Sequence, residues 1–194
     1  CEENGMIMSG ETYGNGNFDI FRAAKIPDVP MCEFWYLEDY DYKTYPTKWP
    51  VSLAWPFTKK VVTSAAHLSG KSIVGAECPT SKHGWDTHPF LLKPMLDYYV
   101  VGGVNRFYFH TMVHQPWGDE IKPGMSMSAY GQQINRNNVW HSQARTWSDY
   151  MARTQHLLQS GTIQNDFLVI CGNLDASYNY YVRGGGNEPK FDPD

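Results

Sequence analysis

Ser72-Ile-Val-Gly-Ala-Glu77-Cys-Pro-Thr-Ser-Lys-His-Gly-Trp85 is the stretch on which the fold turns. Ile73, Val74 and Ala76 make a short apolar run that meets a carboxylate, and Pro79 follows as an expected stop. A strand buried in a parallel sheet is covered on both faces, so it reads as continuous apolar residues. A glutamate closing such a run is poorly explained by packing, because an unpaired buried charge costs several kcal/mol. In barrels of alternating strands and helices, chemistry is built at the carboxyl ends of the strands. Glu77 is therefore the first candidate for a working residue.

Working outward, the same pattern recurs. Met6–Glu11 and Val29–Trp35 are short apolar runs that carry Glu11 and Glu33, and Val104–His110 ends on a histidine. Between them lie helical patterns: a short one capped by Asn17, then Thr58–Ser69 closed by Gly70. Next come Pro89–Val101, interrupted by Pro94, and Ser142–Gln159 closed by Gly161. In the last of these Trp147, Tyr150, Met151, Thr154 and Leu157/Leu158 keep helical spacing. Residues 36–57 read as a long aromatic-rich loop, and long loops inside compact domains tend to be functional or disordered. Asp166–Cys171 is a last apolar run, followed by a Gly- and Pro-rich tail. Strand and helix alternating in this way predict parallel strands in an α/β sheet. Four chemically capable residues at equivalent ends predict one rim of a barrel.

Composition narrows the partners. The 194 residues carry 16 Lys+Arg against 20 Asp+Glu, a net charge of -4 with no basic run. That argues against a nucleic-acid surface, which needs clustered positive charge. No apolar stretch approaches the roughly 18 residues of a membrane span. Aromatic residues make up 15% of the chain, including 7 Trp. Trp and Tyr beside carboxylates suit sugars, whose faces are apolar and rims polar. The cysteines Cys1, Cys32, Cys78 and Cys171 form no Cys-x-x-Cys pair, so neither a disulfide framework nor a zinc site is expected. A start at Cys1 without methionine or signal peptide predicts that the natural beginning lies elsewhere.

Each candidate also has a plainer reading. Glu11, Glu33 and Glu77 could serve as helix caps or ion-pair partners; convergence at equivalent strand ends favours a shared pocket. Several carboxylates around one hollow suit glycoside hydrolysis, where one protonates the leaving oxygen and another activates water or attacks the sugar. The same group could hold a hard cation such as calcium. His110 and His114 have the spacing of a helical zinc pair, but a strand end and Pro116 oppose helical geometry. Hydrogen bonds to sugar hydroxyls or a structural role remain for both. His83, Trp85, Asp86 and His88 form the loop after Glu77, with Trp85 as a stacking candidate. Trp35 and Trp117 read either as sugar platforms or as buried aromatics, and Gln115 joins His114 in the candidate binding set.

Taken together, Ser9-Gly-Glu11-Thr-Tyr-Gly, Asp28-Val-Pro-Met-Cys-Glu33-Phe-Trp, Ala65-Ala-His-Leu-Ser-Gly-Lys71 and Ala76-Glu77-Cys-Pro-Thr-Ser resemble glycoside hydrolase family 106. So do Gly103-Val-Asn-Arg-Phe-Tyr-Phe-His110, His114-Gln-Pro-Trp, Pro123-Gly-Met and Trp147-Ser-Asp-Tyr-Met-Ala-Arg-Thr-Gln155. The resemblance covers about residues 5–171 in order. It implies an α-L-rhamnosidase of bacterial secreted or periplasmic origin, with a (β/α)8 TIM barrel inside a larger multidomain protein. It further implies inverting hydrolysis by two glutamates, with Glu77 as the base that activates water and calcium in the substrate site. Glu11 and Glu33 match carboxylates expected to line the pocket or bind that calcium.

Two departures matter. The Asp-Ser-x-Glu-like stretch expected to carry the general acid is absent, and Cys78-Pro79 replace the residues expected after the base. Four strand–helix units also fall short of the ~250 residues of a typical barrel. The chain is thus expected to be a partial barrel over residues 1–165, with 166–194 beginning a post-barrel segment or linker. Its partner would be the rest of the parent polypeptide, and the piece alone is expected to be inactive. The alternatives are a retaining barrel glycosidase and a non-catalytic carbohydrate-binding protein.

Overall fold

The computed structural model describes residues 1–12, 19–36, 54–81, 84–127 and 131–170, the side chains of 35–36, 54–58 and 81 excepted. Its sheet holds four strands, β1 (Ser9–Glu11), β2 (Val29–Tyr36), β3 (Gly75–Ser81) and β4 (Arg106–Tyr108). They lie in the order β1-β2-β3-β4, every pair parallel. Between and after them run α1 (Ile20–Ala24), α2 (Ala54–Leu68), α3 (Pro89–Val101) and α4 (Ala144–Gln159). A doubly wound sheet reverses its strand order part-way. Here each strand adds beside its predecessor, the progression of a (β/α)8 barrel wall.

The register sorts the side chains. Glu33 pairs with Glu77 and Glu77 with Tyr108, while Met31 pairs with both Glu11 and Gly75. Paired residues share a face and neighbours along a strand alternate. One face therefore carries Glu11, Met31, Glu33, Gly75, Glu77, Arg106 and Tyr108. The other carries Cys32, Phe34, Ala76 and Phe107, which join the core.

That second face is covered by the helices. Ile20 and Ala24 of α1, Val61, Val62, Ala65 and Ala66 of α2, Leu92, Met95, Leu96 and Tyr99 of α3, and Trp147 and Met151 of α4 pack into a single cluster. Phe34 stacks on Tyr99 with ring centroids 4.0 Å apart. Cys32 and Cys78 are fully buried free thiols, and burial pushes the Cys32 thiol up to about 12. Asn105 ties β3 to β4 by accepting from the Val74 N–H at 2.9 Å and donating to the Ser72 carbonyl at 2.7 Å. On the far edge of β4, the Phe107 N–H donates to Gln155 Oε1 of α4 at 2.9 Å, so the helix satisfies a donor the sheet leaves open.

Several boundaries differ from the sequence reading. Pro79 does not end β3. Glu33 pairs with Glu77 but Trp35 with Thr80, so one extra residue of β3 is accommodated at Cys78–Pro79. A β-bulge spares proline the ladder hydrogen bond it cannot donate. Helix α1 is capped by Asp19, whose carboxylate accepts from the Arg22 N–H at 3.0 Å; Asn17 lies outside the described residues. Helix α2 begins at Ala54, inside the stretch read as loop. Leu157 and Leu158 are exposed, and α4 buries only Trp147 and Met151. The run from Asp166 forms no strand among the described residues, and Phe167, Leu168, Val169 and Ile170 are exposed. Cys171 lies outside them.

Candidate active site

The three glutamates converge because the sheet is parallel and in sequential order. Glu33 and Glu77 are direct partners on adjacent strands, and Glu11 stands on β1 beside β2. Glu33 is buried. The Glu11 carboxyl is pushed up to about 8, first by burial and then by the charges of Glu77 and Glu33. Its Oε1 is buried without a hydrogen-bond partner. Like charges gathered in a shielded hollow favour protonation of one of them.

Glu77 has two polar neighbours among the described residues. Thr80 Oγ1 donates to its Oε1 at 3.2 Å, and His110 Nδ1 stands 3.9 Å from the same oxygen. His110 lies two residues beyond the end of β4. Its Nε2 is 3.2 Å from Met127 Sδ, so the ring is held between the carboxylate and the following loop. The Cys78–Pro79 and His110–Thr111 peptides beside these residues are both cis. Below Glu77, Gly75 gives the room its neighbours occupy: a Cβ there would stand 2.6 Å from Met31 Cγ and 2.9 Å from Tyr108 Cε2.

Polar residues join the loops after β3 and β4 into one rim. The Gln132 N–H donates to the His110 carbonyl at 2.7 Å, and the Thr111 N–H to the Gln132 carbonyl at 3.1 Å. The Gln133 N–H donates to the Gly84 carbonyl at 3.2 Å. Thr87 Oγ1 donates to Gln132 Oε1, while Trp140 Nε1 donates to the Thr87 carbonyl. Gly84 lies so close to Gly131 that any Cβ would strike its carbonyl oxygen.

The remaining candidates are distributed around that rim. Trp85 is half-buried in the turn after β3, and Asp86 and His88 are exposed. Gln115 closes its own loop, exchanging two hydrogen bonds with the Met125 backbone. Arg136 donates to the carbonyls of Gln115 and Trp117. His114 and the Trp117 side chain are exposed. Trp35 has its backbone in register with Thr80, and its side chain, like His83, lies outside the described residues. Sequence reasoning missed Thr80, Met127 and Gln132. The available signal was the polar run Gly131-Gln-Gln-Ile-Asn-Arg-Asn-Asn138 enclosed by aromatics, which solvent-exposed loops do not require.

Residues 1–190 match glycoside hydrolase family 106, described as alpha-L-rhamnosidase. The chain belongs to glycoside hydrolase family 106. This family-106 chain is similar in structure to a rhamnosidase from Novosphingobium sp. PP1Y, with a TM-score of 0.71 and 34% identity. The match covers 82% of the chain and 15% of that protein. It is also 41% identical over 174 residues to a Formosa agariphila protein named "Putative beta-glucuronidase", covering 89% of the chain and 13% of that protein. The family-106 chain thus spans a small fraction of the length of the relatives it matches.

Proposed function

We propose that the polypeptide carrying this segment hydrolyses terminal α-L-rhamnosides of plant or algal polysaccharides or glycosides with inversion at the anomeric carbon. The carrying observation is the facing of Glu11, Glu33 and Glu77 on one side of the sheet, close enough for their charges to raise the Glu11 carboxyl. Glu77 is the base. Its carboxylate takes a proton from water, the resulting hydroxide attacks C1, and a general acid elsewhere in the parent polypeptide protonates the departing oxygen. Tyr108 and His110 border the carboxylate, and Trp85, His114 and Trp117 offer ring surfaces and hydrogen-bonding groups to sugars at the rim. Secretion or periplasmic residence suits a polymeric substrate and is part of the same proposal.

Calcium belongs to this proposal too. Glu11 and Glu33 supply the oxygen ligands calcium prefers, and the unpartnered Glu11 Oε1 is an atom a cation would satisfy. Among the described residues no three His, Cys, Asp or Glu side chains gather as a metal-binding group. The cation would supply positive charge that relieves the carboxylate repulsion.

The test is the anomer first released from an aryl α-L-rhamnoside, followed by proton NMR, with an aryl β-D-glucuronide as the competing substrate. β-L-rhamnose appearing first is expected. Initial α-anomer would favour a retaining enzyme, whose carboxyl groups stand about 5 Å apart rather than about 6.5–9.5 Å. Sugar binding without turnover of either substrate would favour a carbohydrate-binding protein.

A further inference from the structure

The bulge in β3 does more than accommodate a proline. In an unbroken strand, residues three apart point to opposite faces. The register pairs Glu33 with Glu77 but the backbone of Trp35, two residues on, with Thr80, three residues on. The extra residue at Cys78–Pro79 therefore returns Thr80 to the side of the sheet that carries Glu77. Bulges commonly re-aim a side chain in this way beside active sites. Thr80 is fully buried, and its hydroxyl donates to Glu77 Oε1 at 3.2 Å.

Among the described residues, the two polar contacts of the Glu77 carboxylate fall on one oxygen. Thr80 donates to Oε1, and His110 Nδ1 approaches Oε1 at 3.9 Å, beyond hydrogen-bond length. We infer that Thr80 is a positioning residue for the catalytic base: its hydroxyl fixes the Glu77 rotamer through Oε1, and Oε2 is the atom that receives the proton from water. This rests on the reading of Glu77 as base. A carboxylate rotates about a terminal bond with broad minima, so without a donor on one oxygen the proton-accepting oxygen is not held in line with the water. Thr80 thus acts on turnover rather than on substrate capture.

The experiment compares Thr80→Val, Thr80→Ala and Thr80→Ser with Glu77→Gln in the polypeptide at the length of its relatives, using an aryl rhamnoside. Valine preserves the volume of threonine and alanine demands less of the packing, so two variants lacking the hydroxyl are available. Folding of each is checked by circular dichroism. The expected result is a fall in kcat of about ten- to a hundredfold in Thr80→Val and Thr80→Ala with KM unchanged. Thr80→Ser should recover most of the loss. Glu77→Gln inactive together with Thr80→Val or Thr80→Ala at wild-type kcat would overturn the role of Thr80 and leave the base in place. An active Glu77→Gln would instead overturn the functional reading beneath it. A loss in KM rather than kcat, or no recovery with serine, would assign Thr80 to packing and likewise overturn the inference.

Discussion

Glu33 and Glu77 are direct register partners on adjacent parallel strands, so two carboxylates stand side by side on one face of the sheet. Like charges opposite one another destabilise a strand pair. A fold that keeps them, with Glu11 on the next strand, spends stability on a site. The energetic consequences of that arrangement are open to measurement.

The first concerns Glu11. Its carboxyl rises from the ordinary 4.5 to about 8, by burial first and by the Glu77 and Glu33 charges next. The folded state thus favours the protonated form. The stability from this group is full below pH 4.5 and is lost as pH rises through about 8. Glu11→Gln should flatten that decline, read as the denaturation midpoint of the catalytic domain against pH. Calcium favours the charged carboxylate, so it should raise the wild-type midpoint most at the alkaline end and do less for the glutamine variant. An unchanged slope in Glu11→Gln would contradict the proposed convergence of charges.

The second concerns the floor of the site. Gly75 has no side chain, and Met31 and Tyr108 occupy the space one would need. Gly75→Ala should cost about 1–3 kcal/mol through overpacking. It should also lower turnover by displacing Glu77, two residues along the strand. Equilibrium denaturation and kcat are the paired readouts, and wild-type values in both would show that the floor is not close-packed.

The third concerns Lys59, 2% exposed in α2. Its Nζ lies 3.3 Å from the Tyr98 ring centroid and donates to the Tyr98 carbonyl at 3.1 Å. Burial pushes the ammonium down to about 8, with Lys60 adding to the effect. A lowered value means that stability from this group is present above its ordinary 10.5 and is lost as pH falls through about 8. Replacing a buried charge with an apolar residue of similar length is often neutral or stabilising. Lys59→Met should therefore match or exceed wild-type stability below pH 8 and reduce the pH dependence above it. Marked destabilisation at pH 7 would show that the ring and carbonyl contacts outweigh the burial.

How much of this could be read from the residues differs by element. The sheet was legible because each strand repeats one local signal, an apolar run meeting a carboxylate or, in β4, a histidine, and helices with clear periodicity separate the runs. Glu11, Glu33 and Glu77 meet on one face for that reason alone. The extension of β3 past Pro79 was hidden, since proline ordinarily stops a strand and only the partner's register shows where a bulge absorbs it. Thr80 was hidden with it. The burial of Lys59 was not legible, because it depends on the tyrosine pair of α3, 39 residues away in sequence. The Asp166 run has the composition of a strand, yet pairing requires a neighbouring edge, and Gln155 of α4 engages the one on β4.

The central claim is that Glu77 takes the proton from water. Its most direct measurement is single-turnover hydrolysis of an aryl α-L-rhamnoside by the Glu77→Gln variant, with azide added as an external nucleophile. The expected result is a loss of turnover of at least about 10³-fold with sugar affinity retained, and partial rescue by azide as a glycosyl azide of inverted configuration. Turnover within about tenfold of wild type, with water still the nucleophile, would contradict it.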